Sequence, residues 1–172
     1  MKKFLSILVI VCCVVTLTGC GNNESTTSNE ETKTNEVKGN EEVKTGTLKC
    51  SKTQEVSDAI KLDLVYNVTY EGDNVTYLET VEKVISSNSK VLKTYKEQIA
   101  NIYKPYLDVE YYDNNITIDG DTLTSTTKID YSKIDTNKLI EIDSSNKALI
   151  KNGKVAVKDL KKTYESLNMT CE

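Results

Sequence analysis

The chain of 172 residues has no histidine, no arginine and no tryptophan, and only one proline and one phenylalanine. Without histidine, Ser-His-Asp and Cys-His catalysis and every His-ligated zinc site are excluded. A cysteine nucleophile would lack its usual base. The basic residues are lysines alone, outnumbered 22 to 26 by Asp and Glu, which argues against a duplex nucleic-acid partner, since phosphate binding rests on a concentrated basic surface. The sequence also lacks an apolar run of the roughly 20 residues that a settled membrane span requires.

What it has instead is a charged start, Met1-Lys2-Lys3, an apolar stretch from Phe4 to Thr16, and then Leu17-Thr18-Gly19-Cys20. This is the layout of a secretory signal. Small residues before a cysteine at this position also resemble the lipobox of bacterial lipoproteins, which predicts removal of residues 1–19 and diacylglycerol on Cys20. Two acyl chains, at about 0.8 kcal/mol per buried methylene, give stable anchoring where one does not. Loss of the signal removes the only Phe, so every remaining aromatic is one of ten tyrosines. Lys2 and Lys3 leave with it, and 20 basic against 26 acidic residues give a net charge of −6.

Of the five cysteines, Cys12 and Cys13 lie in the signal and Cys20 carries lipid. Cys50 and Cys171 remain, one near each end of the expected folded region, in an oxidising compartment. A disulfide between them is expected, with two buried free thiols as the alternative. Closing so long a loop would stabilise the fold by about 4 to 5 kcal/mol in the chain-entropy model.

From Gly21 to Gly46 the residues are mainly Asn, Glu, Ser, Thr, Lys and Gly, too polar to offset ordering entropy. Residues 20–46 therefore read as a lipidated cysteine and a disordered tether, with a mean span of about 28 Å. Residues 47–172 form a single domain of ordinary size. Thr47-Leu48-Lys49-Cys50 reads as a short first strand. Leu62, Leu64, Tyr66, Val68 and Tyr70 alternate as in a half-buried strand. Gly72-Asp73 offers a hairpin turn, and pairing outward from it sets Tyr70 beside Val75, Val68 beside Tyr77 and Leu64 beside Val81.

Ser86 to Ser89 suit a helix cap, and Val91, Tyr95, Ile99, Ile102, Tyr103 and Tyr106 then mark an amphipathic helix of about four turns, ending near Pro105. Val109 to Ile118 and Asp121 to Tyr131, joined by Asp119-Gly120, form a second hairpin, with Asp113-Asn114-Asn115 a place for a bend or bulge. A turn of helix follows near Asp135 to Ile140. Val157, Leu160, Tyr164 and Leu167 mark a last helix, and Asn168 to Cys171 can lie extended. The expected class is α+β, an antiparallel sheet built from two β-hairpins with helices packed on one face.

Candidate chemistry is sparse. Glu79 with Glu82, or Asp108 with Glu110, could be imagined as a general acid and base. Alternation sets Glu79 and Glu82 on opposite faces, and Asp108 and Glu110 on one, so all four read as solvated sheet charges. Asp113-Asn114-Asn115 and Asp119-Gly120-Asp121 cluster the hard oxygens calcium takes, but their spacing is not that of an EF-hand and turn chemistry explains both. Lys154, Lys158, Lys161 and Lys162 lie opposite the apolar stripe of the last helix, on the side expected to face water, with anionic headgroups as the alternative partner. Asn67, Asn74, Asn115 and Asn168 open glycosylation sequons to which no role is given.

The stretch from Asp108-Val109-Glu110-Tyr111-Tyr112 through Asp119-Gly120 to Ile129-Asp130-Tyr131-Ser132-Lys133 resembles the small YehR-like bacterial lipoproteins. The resemblance implies an α+β lipoprotein without an assigned activity, and it supplies no functional residues. Cys50, Cys171 and the long tether depart from that pattern.

These readings lead to the expectation of a non-enzymatic binding or interaction module. It would be held on the extracytoplasmic face of a bacterial membrane through Cys20, with an envelope protein or polymer as partner, and without cofactor, metal or catalytic residue. The alternative is a carboxylate-dependent hydrolase acting on envelope material.

Overall fold

A computed structural model describes residues 44–172. The expected signal 1–19, the lipidated Cys20 and the tether as far as residue 43 lie outside the described residues. Three long strands open the domain as a meander, β1 (Thr45–Ser57), β2 (Ile60–Glu71) and β3 (Asn74–Ile85). Helix α1 (Ser89–Tyr103) follows and runs into a 3-10 turn (Lys104–Tyr106) that holds Pro105. The second hairpin is β4 (Tyr112–Asp119) and β5 (Thr122–Asp130). Helix α2 (Thr136–Ile142), a 3-10 turn (Ser144–Ala148), a small hairpin of β6 (Ile150–Lys151) and β7 (Lys154–Val155), helix α3 (Val157–Ser166) and β8 (Thr170–Cys171) complete it.

The main sheet has the order β4-β5-β3-β2-β1-β8, with every neighbour antiparallel. Its turns follow from local chemistry. Gly72 and Gly120 take φ of 55° and 53° at the β2–β3 and β4–β5 turns, and Asn152 with Gly153 takes 50° and 76° between β6 and β7. Left-handed backbone of this kind costs glycine nothing and asparagine little. Helix α1 starts where the Asn88 side chain accepts a hydrogen bond from the Lys90 N–H at 3.0 Å, and α2 starts in the same way from Asp135 to Asn137.

The α+β architecture is as expected, with the helices on one face. Leu48 and Cys50 of β1, Leu62, Leu64, Tyr66 and Val68 of β2, and Leu123 and Ile129 of β5 point into the core. Leu92, Tyr95, Ile99 and Tyr103 of α1 cover one part of that face, and Leu139 of α2 with Leu160 and Tyr164 of α3 cover the rest. The stripe of α1 thus runs through Leu92, with Val91 and Ile102 at its half-buried margins.

Four expectations need correction. The first strand is thirteen residues long, because β2 pairs with it from Thr45 through Ser57 even where β1 has no apolar alternation of its own. Thr45 and Gly46 belong to it, and the ring of Tyr70 lies where a Cβ at position 46 would stand. Second, the β2–β3 register keeps Tyr70 beside Val75 but then shifts, so that Val68 faces Leu78 and Leu64 faces Glu82. Thr76 is the extra residue of this bulge, and its hydroxyl donates to the Thr69 carbonyl at 3.2 Å. Third, Asp113-Asn114-Asn115 neither bends nor bulges β4, which pairs with β5 without interruption from Tyr112 to Asp119. Fourth, Asp108 and Glu110 stand in the turns before β4, not on a strand. Tyr111, with φ of 68°, turns the chain there before β4 begins.

Strand β8 lies directly against β1, where Cys50 and Cys171 are paired residues 4.1 Å apart at Cα and joined by a disulfide. Glu172 and Lys49 exchange both backbone hydrogen bonds at 2.9 Å beside them. The bond closes a loop with a sequence separation of 121. Replacing both cysteines by alanine is expected to lower the unfolding free energy by about 3 to 5 kcal/mol, read from urea unfolding. A loss below about 1 kcal/mol would show that the closed loop contributes little to the stability of this fold.

Candidate functional site

The bulge at Thr76 changes the parity of β3. Beyond it, Leu78, Thr80, Glu82 and Val84 point inward, while Glu79 and Val81 point to the open face. A carboxylate expected on the surface therefore lies in the core. Glu82 Oε1 accepts a hydrogen bond from the Tyr66 hydroxyl at 2.7 Å, and Oε2 accepts one from the Tyr103 hydroxyl at 3.4 Å. Tyr66 is presented by the neighbouring strand β2 and Tyr103 by the last turn of α1.

A line of polar side chains extends from this pair across the inner face. Thr127 on β5 hydrogen-bonds to the Tyr103 hydroxyl. The Asn114 amide on β4 donates to Thr127 Oγ1 at 2.9 Å and to Ser125 Oγ at 3.0 Å. Asn114 is half-buried at the sheet edge, whereas Ser125 and Thr127 are fully enclosed. Tyrosines wall the group. Tyr164 meets the Tyr66 ring edge-on at 5.0 Å, and Tyr112 lies 6.4 Å from Tyr103 and stacks on Tyr106 at 5.2 Å. Thr80, two residues from Glu82 on the same face of β3, buries a hydroxyl without a partner.

Burial disfavours the charged carboxylate and raises Glu82 from 4.5 to about 7, while the hydroxyls of Tyr66 and Tyr103 pull the other way. The tyrosines shift upward as well. Burial comes first for Tyr66 and Tyr103, with the charge of Glu82 adding to it, and burial also dominates at Tyr164 and Tyr112. Their phenols thus stay protonated and serve as donors.

The other candidates do not assemble. Glu79 forms a 3.6 Å ion pair with Lys128, its partner across the β3–β5 ladder on the open face. Asp108 and Glu110 are exposed, as are Asp113, Asn115, Asp119, Gly120 and Asp121. Among the described residues no group of three or more Asp, Glu or Cys side chains could hold a metal ion, and no helix is long and apolar enough to cross a membrane. Lys154, Lys158 and Lys162 are exposed and Lys161 is half-buried, interspersed with Asp159 and with Glu165, which Lys161 approaches to 3.8 Å.

Alternation along β3 singled out Glu82 but put it on the wrong face, and nothing in the sequence marked the half-buried Asn114 as part of the group. One signal was available. A chain with ten tyrosines and one phenylalanine must bury phenol groups, and each buried phenol seeks an acceptor.

What Glu82 can do chemically is bind and release a proton within a closed group of phenols. Between its ordinary value of 4.5 and about 7, the folded chain holds a proton that the unfolded chain has lost. Stability from this residue is therefore full below 4.5 and is lost as pH rises to about 7. The total is on the order of 3 kcal/mol. Glu82→Gln should flatten this dependence between pH 5 and 8, measured by urea midpoints. Tyr66→Phe should cost about 1.5 to 3 kcal/mol at pH 8, where it removes a bond to an ionised acceptor, and less at pH 5.

No protein-family model matches the chain, and no curated protein matches it. It is similar to the NMR structure of a protein from Streptococcus pneumoniae TIGR4, at 13% identity over 89% of this chain and 100% of that one, with a TM-score of 0.47. It is also similar to the NMR structure of E. coli YehR, at 17% identity over 75% of this chain and 91% of that one, with a TM-score of 0.49.

Proposed function

We propose that the chain is a lipid-anchored, non-enzymatic binding module on the outer face of a bacterial membrane, related to the YehR-like lipoproteins. The observation that carries the non-enzymatic reading is the seclusion of Glu82. It is buried beneath α1 and α3, it is bonded to two phenols, and no second carboxylate contributes to its environment. General acid-base work requires a carboxyl within hydrogen-bond reach of the substrate, and glycoside hydrolysis requires a second one at a set distance. The hydrolase alternative draws no support from this arrangement.

The face of the sheet opposite the helices supports binding as the role. Val65 and Asn67 of β2, Tyr77, Glu79 and Val81 of β3, and Thr124, Thr126 and Lys128 of β5 form a broad face of mixed polarity that no described element covers. Attachment rests on the signal, the lipobox-like Leu17-Thr18-Gly19-Cys20 and the polar stretch after it.

Two measurements test the proposal. The mass of the protein extracted from membranes should correspond to a chain starting at lipidated Cys20, and Cys20→Ala should abolish the lipid. A photo-cross-linker at Thr126, on the open face, should capture one specific envelope component on intact cells, whereas one at Lys93, on the exposed side of α1, should not. A chain that keeps residues 1–19, or envelope hydrolysis without specific capture, would overturn it.

A further inference from the structure

The core beneath the helices consists of two packed clusters. One, under α2 and α3, contains Tyr66 and Tyr164, and the other, under α1, contains Tyr103 with Leu92 and Ile99. Glu82 stands where they meet and takes one hydrogen bond from each side, Oε1 from Tyr66 and Oε2 from Tyr103. The titratable groups that bear on it are all phenols, namely Tyr66 from β2, Tyr103 from α1, Tyr112 from β4 and Tyr164 from α3. From strand β5, Ser125 stands directly across the ladder from Glu82, and the Thr127 hydroxyl bears on it through Tyr103. Neither a lysine nor a second carboxylate acts on Glu82.

We propose that Glu82 is a proton-operated latch between α1 and the rest of the core, closed when the carboxyl is neutral and opened to water when it is ionised. A carboxylate offers about four acceptor sites, and here two hydroxyls serve them. No cation offsets the remaining cost of burying the charge, so ionisation favours any opening that admits water.

The seam has a weaker side. The bond to Tyr103, at 3.4 Å, is longer than the bond to Tyr66, at 2.7 Å, so α1 is the element that separates. The hydrogen-bonded line from Asn114 through Thr127 and Tyr103 connects the half-buried edge of β4 with the carboxylate. Closure consumes one proton from solvent, which bonds to a carboxylate oxygen, and no other covalent bond changes. The upward shift of Glu82 to about 7 sets the working range near neutral pH. The latch does not depend on how the chain is anchored.

The test is NMR on the unlipidated chain from residue 21. The Glu82 side-chain carboxyl carbon is titrated, and amide exchange, corrected for intrinsic rates, is followed in α1 and in the β1–β2 hairpin. The carbon should titrate near 7. Amides of α1 should be less protected than those of β1 and β2, and their protection should fall about tenfold per pH unit between roughly pH 5 and 7, then level off. Glu82→Gln should remove that slope. If this variant does not fold, Tyr103→Phe, which deletes the donor to Oε2, should move the Glu82 midpoint upward. The proposal is overturned if α1 and the hairpin share one protection at every pH, if the slope survives in Glu82→Gln, or if the carbon titrates in the ordinary carboxylate range.

Discussion

Thr76 is one residue more than a regular hairpin would place in β3, and the composition of the core depends on it. Side chains alternate along a strand, so an extra residue exchanges the two faces of everything beyond it. Without the bulge, Tyr77, Val81 and Ile85 would point inward and Glu82 outward. With it, Leu78, Thr80, Glu82 and Val84 enter the core. The extra residue is held in place by its own hydroxyl on the Thr69 carbonyl and by its carbonyl, which accepts from the Ser132 N–H at 3.2 Å. The second of these bonds ties the bulge to the segment after β5, so the register of the first hairpin and the placement of the second are set together.

The tyrosine-lined core follows from that choice. A buried carboxylate must be supplied with donors, and Tyr66 and Tyr103 bring them without a second charge. A salt bridge would have held the group ionised, whereas phenols leave it close to balance between its two forms. Tyrosine in place of phenylalanine thus adds hydrogen-bonding specificity to the apolar area of the ring. The cost remains visible in the buried Thr80 hydroxyl, which lacks a partner.

The ends of the described domain are secured by a different device. Strand β8 is only two residues long, and such a strand has little pairing energy of its own. The disulfide to Cys50 and the paired bonds between Lys49 and Glu172 hold it against β1. Met169, buried just before it, brings the C-terminal segment into the same core as Leu160 and Tyr164. Covalent closure and burial thus act at one place on the short strand that forms this edge of the sheet.

Much of the fold was legible because it is written in local periods and turn residues. Leu62 to Tyr70 alternate as a strand, Gly72 and Gly120 mark the hairpins, Asn88 caps a helix at the expected cluster, and the stripe through Leu160 and Tyr164 marks another. A disulfide between Cys50 and Cys171 was expected from their places near the two ends of the folded region, with free thiols as the alternative, and the structure joins them. The small β6–β7 hairpin and the length of β1 were not legible, since two-residue strands carry no period and residues 51–57 borrow their conformation from β2. The face of Glu82 was hidden for a related reason. Beyond the bulge both alternating sets of β3 mix apolar and charged residues, Tyr77, Glu79, Val81, Lys83 and Ile85 outside and Leu78, Thr80, Glu82 and Val84 inside, so alternation does not choose between them and the contacts of Thr76 with Thr69 and Ser132 do. The sequence by itself determined the main strands and helices and their order, because these depend on neighbours along the chain. The tertiary structure alone decided which carboxylate is buried, because a single inserted residue changes the sign of an alternation without changing its period.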